Sequence, residues 1–291
     1  MQVSAATAQG VGSVNEDAIH IGTNVVVVLD GLSAPTDLPM GCIHGTPWFV
    51  QQLGTCLISL ADNNEMELRE ALREAIIQVN SLHRDTCALE QEAVPASTVV
   101  MVRERAHALD YLVLSDNVLM LDLREAGVQI VTDKRVEEVA GVEMRTALQG
   151  PTGTPEHAAR ISALVAVQRR LRNRTGGYWV AATDPSAADE AITGTVDLFR
   201  VRQAALLTDG ASRLVDTFGV LNWAQLLDML GTDGPEALIA RTRVAEVTDP
   251  VGTRWPRFKQ SDDATAAYVR LAQPVDQTDT LSSACQARCL P

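Results

Sequence analysis

The apolar positions of this chain fall into two kinds of run: short continuous stretches rich in β-branched residues, and longer stretches with a helical repeat. The first strong run, Asn24 to Leu29, contains Val25-Val26-Val27-Val28-Leu29. A strand without polar alternation is buried on both faces. A loop with Pro35 and Pro39 follows, and a helix is predicted over Pro47 to Leu60, since proline is tolerated in a first turn. Leu68, Leu72, Ala75, Ile76, Val79 and Leu82 then recur at helical spacing, with Glu and Arg on the other face. That pattern predicts a second helix, antiparallel to the first.

Strands are predicted next at Ser97 to Arg103, Leu109 to Leu114, Val118 to Leu123 and Gly127 to Thr132. Short strands separated by polar turns indicate antiparallel pairing. Gly150, Pro151, Gly153 and Pro155 mark a loop, and a helical block runs from about Pro155 to Asn173. Strands are expected again at Tyr178 to Ala182 and Gln203 to Leu207, helices at Asn222 to Leu230 and Pro235 to Val247, and a last strand at Thr265 to Leu271. Strands and helices come in blocks, not in strict alternation, which favours an α+β sandwich over a doubly wound sheet.

Composition narrows the function. The 291 residues are 46% hydrophobic, enough for a large core, and 24 Lys+Arg against 37 Asp+Glu give a net charge of −13. Such a field repels nucleic acid and anionic lipid, and aromatics at 4% are too scarce for base-stacking platforms. Neither nucleic acid nor a membrane is therefore expected as a partner. The N-terminus has no basic and apolar signal pattern, so a cytoplasmic location with reduced thiols is expected for Cys42, Cys56, Cys87, Cys285 and Cys289. Residues 1–272 are read as one domain, and 273–291 as a flexible tail dispensable for folding and catalysis.

The candidate chemistry lies in aspartates placed where apolar strands stop. Val25–Leu29 runs into Asp30-Gly31, Leu206-Leu207 into Thr208-Asp209-Gly210, and Val113-Leu114 into Ser115-Asp116-Asn117. Asp262-Asp263-Ala264-Thr265 leads into the last strand, and Asn15-Glu16-Asp17 stands near the start. Each alone is an ordinary turn. As a set on rigid strand ends they can converge, and converging carboxylates require a cation. Oxygen ligands without His or Cys suit Mg²⁺ or Mn²⁺.

In these five segments, with Ser97-Thr98 as a sixth, the chain resembles the metal-dependent serine/threonine protein phosphatases of type 2C, the PPM family, in a bacterial form. The likeness spans about Ala5 to Leu271. It implies a four-layer α/β/β/α sandwich, two antiparallel sheets flanked by helix pairs, acting on phosphorylated protein. It also implies two Mn²⁺ or Mg²⁺ ions: Asp30 bridges them, the Gly31 carbonyl helps hold one, and Asp209 and Asp262 complete the other's shell. Glu16 and Asp17 would order metal-bound waters, and Asp116 would serve a weaker third ion.

The chain departs from the family pattern in three places. Gly12 stands where many members carry a phosphate-gripping Arg, Leu32 where His often follows Asp-Gly, and Ser115-Asp116-Asn117-Val118 replaces Gly-Asp-Ser-Arg. A replacement clamp is expected from Arg254, Arg257 and Lys259, three cations within six residues just before Asp262. The basic stretch Arg169, Arg170, Arg172 and Arg174 reads as a solvated helix end. His44 reads as a surface or capping residue, with an approach to the site from its loop as the other possibility. Two other functions share the same residues: a non-enzymatic pseudophosphatase that binds a partner protein, and a hydrolase of small phosphoesters.

Overall fold

The computed structural model describes residues 1–32, 41–63, 65–91 and 93–271. The Pro35–Pro39 loop and the tail with Cys285 and Cys289 lie outside these residues. Ten strands are described: β1 Gln2–Ala8, β2 Ala18–Ile21, β3 Val25–Leu29, β4 Val99–Glu104, β5 Ala108–Leu114, β6 Val118–Leu123, β7 Gly127–Val131, β8 Ile192–Asp197, β9 Val201–Leu207 and β10 Ala264–Arg270. They form two antiparallel sheets, ordered β1-β10-β9-β6-β7 and β2-β3-β4-β5-β8.

The valine run explains the layering. Val26 and Val28 of β3 face the other sheet and pack with Val100, Val102, Leu119, Leu121, Leu206 and Val269. Val25, Val27 and Leu29 face outward onto helices α1, Gly45–Ala61, and α2, Leu68–His83, through Phe49, Leu53, Leu57, Leu72 and Ile76. Both faces are dry, so no position on β3 alternates to polar. The outer face of the first sheet is covered by α6 Asp209–Asp216, α7 Trp223–Thr232 and α8 Pro235–Thr248, whose Leu214, Leu226, Leu230 and Leu238 pack on Met120, Ala205 and Tyr268. The order is helix, sheet, sheet, helix, with three helices rather than two on this side. Three more, α3 Arg135–Val139, α4 Gly141–Ala147 and α5 Pro155–Leu171, lie between β7 and β8 and wall one end of the sandwich.

Several segments depart from the pattern-based reading. β1 and β2 are strands with weak apolar signal. β1 holds Ser4, Ala5, Ala6 and Thr7 at the sheet edge, where Thr7 and Ala8 pair with Thr265 and Ala264 and Gln2, Ser4 and Thr7 stay exposed. β8 has an exposed pattern for the same reason, being the edge beside β5. Tyr178 to Ala182, expected as a strand, crosses the end of the sheet and touches it at a single bridge, Ala181 to Ser97.

Candidate metal centre

The aspartates meet because of where the strands stop. Asp30 follows β3, and its backbone is held by the Ser97-Thr98 pair: Thr98 N donates to Asp30 O at 2.9 Å, Ser97 Oγ donates to the same oxygen at 3.0 Å, and Asp30 N donates to Thr98 Oγ1 at 3.2 Å. Gly31 sits in a crevice. A Cβ there would lie 2.4 Å from Glu16 O and 2.6 Å from Thr46 Cγ2, so only glycine lets the chain turn against the 15–17 segment.

Asp209 opens α6 directly after β9. Gly210 beside it leaves no room for a side chain, since a Cβ would lie 1.9 Å from Asp263 O, and this contact seats α6 on the 262–263 turn. Asp263 braces the N-terminal loop by accepting from Gly10 N and Glu16 N, each at 2.7 Å. Asp17 is buried beneath, accepting from Thr208 Oγ1 at 2.9 Å, while Thr265 N donates to the same threonine oxygen at 2.9 Å. Asp116 lies in the β5–β6 turn, which is tight enough to put Ser115 at φ 69°.

One cleft of about 240 Å³ is lined by Asp30, Gly31, Asp116, Asp209, Lys259 and Asp262, with Leu32, Thr98, Ser115, Gln168, Arg172, Tyr178 and Phe258 among its walls. Asp17 lies under its floor. The electrostatics are those of crowded acids. Burial pushes Asp17 up to about 8, with Asp209 and Asp263 adding to the rise. Burial, then Asp17, Asp209, Asp262 and Asp116, holds Asp30 well above the ordinary carboxylate range. Asp209 is pushed up to about 7 by burial and by Asp262, against the pull of Arg213. Asp209 is exposed and Asp30 half-buried by surface area, so burial here means protein crowding around carboxylates that still open onto the cleft.

Two cations pair directly with Asp262. Arg213 binds Asp262 at 3.0 Å and Glu246 at 2.8 Å, and Lys259 Nζ lies 2.5 Å from the other oxygen of Asp262. Burial alone would lower Lys259; Asp262, Asp209 and Asp30 outweigh it and push the ammonium up. With Arg172, which also lines the cleft, three cations face five carboxylates and leave an excess of negative charge, and Asp17 Oδ1 is a buried oxygen with no hydrogen-bond partner. Both observations fit a divalent cation. Among the described residues, no three of these carboxylates bring oxygens within 4.8 Å of one another. An ion held here would therefore be bound partly through water, as Mg²⁺ commonly is.

The expected phosphate grip is distributed differently from its sequence spacing. Lys259 enters the cleft, but Arg254 stacks over the Trp255 ring at 4.1 Å. Arg257, only 4% exposed, binds Asp249 at 3.1 Å and donates to the carbonyls of Trp255, Gln260, Glu246 and Asp249. Replacing it should lower stability. Asp249 keeps backbone donors from Thr253, Arg254 and Trp255 at 2.9–3.1 Å, so its charge is not orphaned. A loss of about 2 kcal/mol is expected for Arg257→Ala, read from the urea midpoint. Arg172, read from sequence as part of a solvated helix end, instead lines the cleft beside Tyr178. Its Tyr178 pairing, which the sequence does not show, turns it inward. Glu16 reaches the centre through its backbone, its carbonyl accepting from Gly31 N at 3.1 Å. His44 stacks on Trp48 at 4.4 Å, next to Cys42 and Cys87.

No protein-family model matches the sequence, and no curated protein matches it. Solved structures do match. PppA of Pseudomonas aeruginosa, described as a key regulatory component of T6SS, aligns with TM-score 0.57 at 17% identity, covering 93% of this chain and 97% of that one. Stp1, a serine/threonine phosphatase of Staphylococcus aureus, aligns with TM-score 0.56 at 12% identity, covering 93% and 95%. The catalytic domain of the serine/threonine phosphatase PstP, solved with two manganese ions, aligns with TM-score 0.53 at 16% identity, covering 93% and 98%. Coverage is nearly complete on both sides, and the two antiparallel sheets with their helical layers are shared. This chain has the fold of the PPM-type bacterial serine/threonine phosphatases.

Proposed function

We propose that the protein hydrolyses phosphoserine and phosphothreonine in proteins, with Mn²⁺ or Mg²⁺ held by Asp30, the Gly31 carbonyl, Asp209 and Asp262. Asp17 and Glu16 order water around the ions, and Asp116 serves a weaker third. The observation that carries this reading is the convergence of Asp30, Asp116, Asp209 and Asp262 on one cleft, with Asp17 buried close enough to repel Asp30, and too few cations to balance them. Divalent ions bound there supply a water acidified to near-neutral pKa and neutralise charge on the phosphoryl oxygens. The chain's own groups bind and orient. Lys259 is already fixed by Asp262 at the cleft wall, and with Arg172 it offers a phosphoryl group two positive contacts. No histidine lines the cleft among the described residues.

One observation favours a second reading, a pseudophosphatase that binds a partner protein. Both oxygens of Asp262 are engaged by protein cations, Arg213 and Lys259, as they would be in a site that neutralises itself. A single titration separates the two. Purified protein with increasing Mn²⁺ should hydrolyse phosphopeptide and aryl phosphate, lose turnover in chelator and regain it on adding metal back. No turnover in excess Mn²⁺, together with no heat of Mn²⁺ binding, would leave the scaffold reading standing. Turnover of aryl phosphate with none of phosphopeptide would point to small phosphoesters.

A further inference from the structure

Away from the aspartates, four soft ligands converge. Cys42 and His44 lie just before α1; His83 is the last residue of α2, and Cys87 sits in the turn that follows. Their ligand atoms all lie within 4.8 Å of one another. Cys42 Sγ is 3.3 Å from His83 Nδ1, 3.4 Å from Cys87 Sγ and 3.6 Å from His44 Nδ1, and Cys87 Sγ is 3.4 Å from His44 Nδ1. Zn–S bonds of about 2.3 Å and Zn–N bonds of about 2.0–2.1 Å at tetrahedral angles place ligand atoms ~3.3–3.8 Å apart. The cluster already has those edges.

Neither a disulfide nor a hydrogen-bonded group accounts for the cluster. The two sulfurs are far beyond the ~2.05 Å of a disulfide bond. As a hydrogen-bonded group it offers only pairings with sulfur, a weak partner whether an S–H donates to imidazole or an imidazole N–H donates to sulfur. Cys42 and His83 are buried at 3% and 2% exposure, so water does not replace what is missing for them.

The frame is also built before any metal arrives. Gly41 N donates to Ala93 O and Ala88 N donates to Gly41 O, each at 2.7 Å, which locks the Cys42 segment beside the Cys87 turn. A Cβ at Gly41 would lie 2.4 Å from Ala88 O, so the approach requires glycine. The Trp48 ring packs against both imidazoles, 4.4 Å from His44 and 4.9 Å from His83, while the two imidazoles meet edge-on at 6.0 Å.

We infer that Cys42, His44, His83 and Cys87 form a tetrahedral zinc site. Two thiols lose their protons to solvent as the ion binds, so Zn²⁺ and two thiolates balance to zero charge beside two neutral imidazoles. An S₂N₂ donor set selects zinc over the hard ions suited to the aspartates. Four protein ligands leave no open position, so the site is structural. It clips the start of α1 to the end of α2. Thr46, two residues past His44, packs its methyl against Gly31 and donates to Leu32 O at 3.2 Å, so the clip also steadies one wall of the aspartate cleft.

The test uses the full chain, purified under reducing conditions. Elemental analysis should find about one zinc per chain that survives dialysis, and stripping it should lower the thermal midpoint. Cobalt in its place should give the intense visible bands of a tetrahedral thiolate site. Cys87→Ser and His44→Ala, both at solvent-accessible positions where the fold is retained, should each weaken zinc by more than the ~10–100-fold typical of losing an outer-shell partner. Asp30→Asn should keep both the zinc and the cobalt spectrum, which separates this centre from the aspartate site. Reduced, folded wild-type protein that takes up no zinc would overturn the assignment. So would a cobalt spectrum unchanged in Cys87→Ser and His44→Ala.

Discussion

Asp30→Asn is expected to lose at least ~10³-fold in kcat/KM for phosphopeptide at saturating Mn²⁺, while its melting midpoint stays level or rises. The activity loss follows from position. Asp30 stands at the centre of the acid cluster, repelled by Asp17, Asp209, Asp262 and Asp116, and is one of the carboxylates proposed to hold the ions. A metal centre contributes several kcal/mol of transition-state stabilisation, and each ~1.4 kcal/mol is tenfold in rate. The stability gain follows from the same crowding. A neutral amide removes one charge that the fold holds unfavourably without metal, and the backbone bonds to Ser97 and Thr98 do not involve the side chain. Steady-state rates and a metal-free thermal melt on one preparation measure both. Activity within tenfold of wild type would remove Asp30 from the reaction.

Arg103→Ala is expected to cost ~3–5 kcal/mol of folding stability, the scale for leaving a buried charge unpaired. Arg103 is 1% exposed in the middle of the molecule. Its Nε and Nη2 donate to Asp110 at 3.3 and 2.9 Å, and its Nη1 donates to the carbonyls of Ala61, Asn63 and Met66 at 3.3, 3.1 and 2.8 Å. One side chain on β4 thus satisfies the C-terminal end of α1 and the connection to α2. Asp110 keeps only partial compensation, from Arg105 at 2.7 Å and Thr195 Oγ1 at 2.8 Å. Against a typical total of ~5–15 kcal/mol, such a loss shifts the urea midpoint far to the left. Replacing both partners, Arg103→Met with Asp110→Leu, should cost less than Arg103→Ala alone, because no charge is then orphaned. A single variant with a wild-type midpoint would show that Arg103 does not hold this region together.

The cations around the cleft show where spacing along the chain stops being informative. Three cations close together before Asp262 suggest a shared role by spacing alone, yet they point three ways. Pro256 and the turn around Asp249 rotate successive side chains apart, so Arg257 goes inward, Arg254 lies on Trp255 and Lys259 reaches the acids. Arg172 is a cleft residue through its bridge to Tyr178, a contact made after the chain turns back at Asn173, where φ is 50°.

What the sequence alone determined was local and periodic. A run of valines can only be a strand with two dry faces, and it is β3. Apolar residues at helical spacing placed α2 and α5 within a few residues, and aspartates at the ends of apolar runs marked the cleft. Tertiary structure decided whatever depends on residues far apart in the chain. Edge strands β1 and β8 carry little apolar signal because several of their positions stay exposed, so pairing with β10 and β5 defines them. Arg103 read as one more position on a strand until the α1–α2 connection folded over it. Cys42-x-His44 and His83-x₃-Cys87 are separated by two helices, and neither pair alone has the form of a metal motif. Only the antiparallel packing of α1 on α2 brings the start of one helix to the end of the other, where four soft ligands meet.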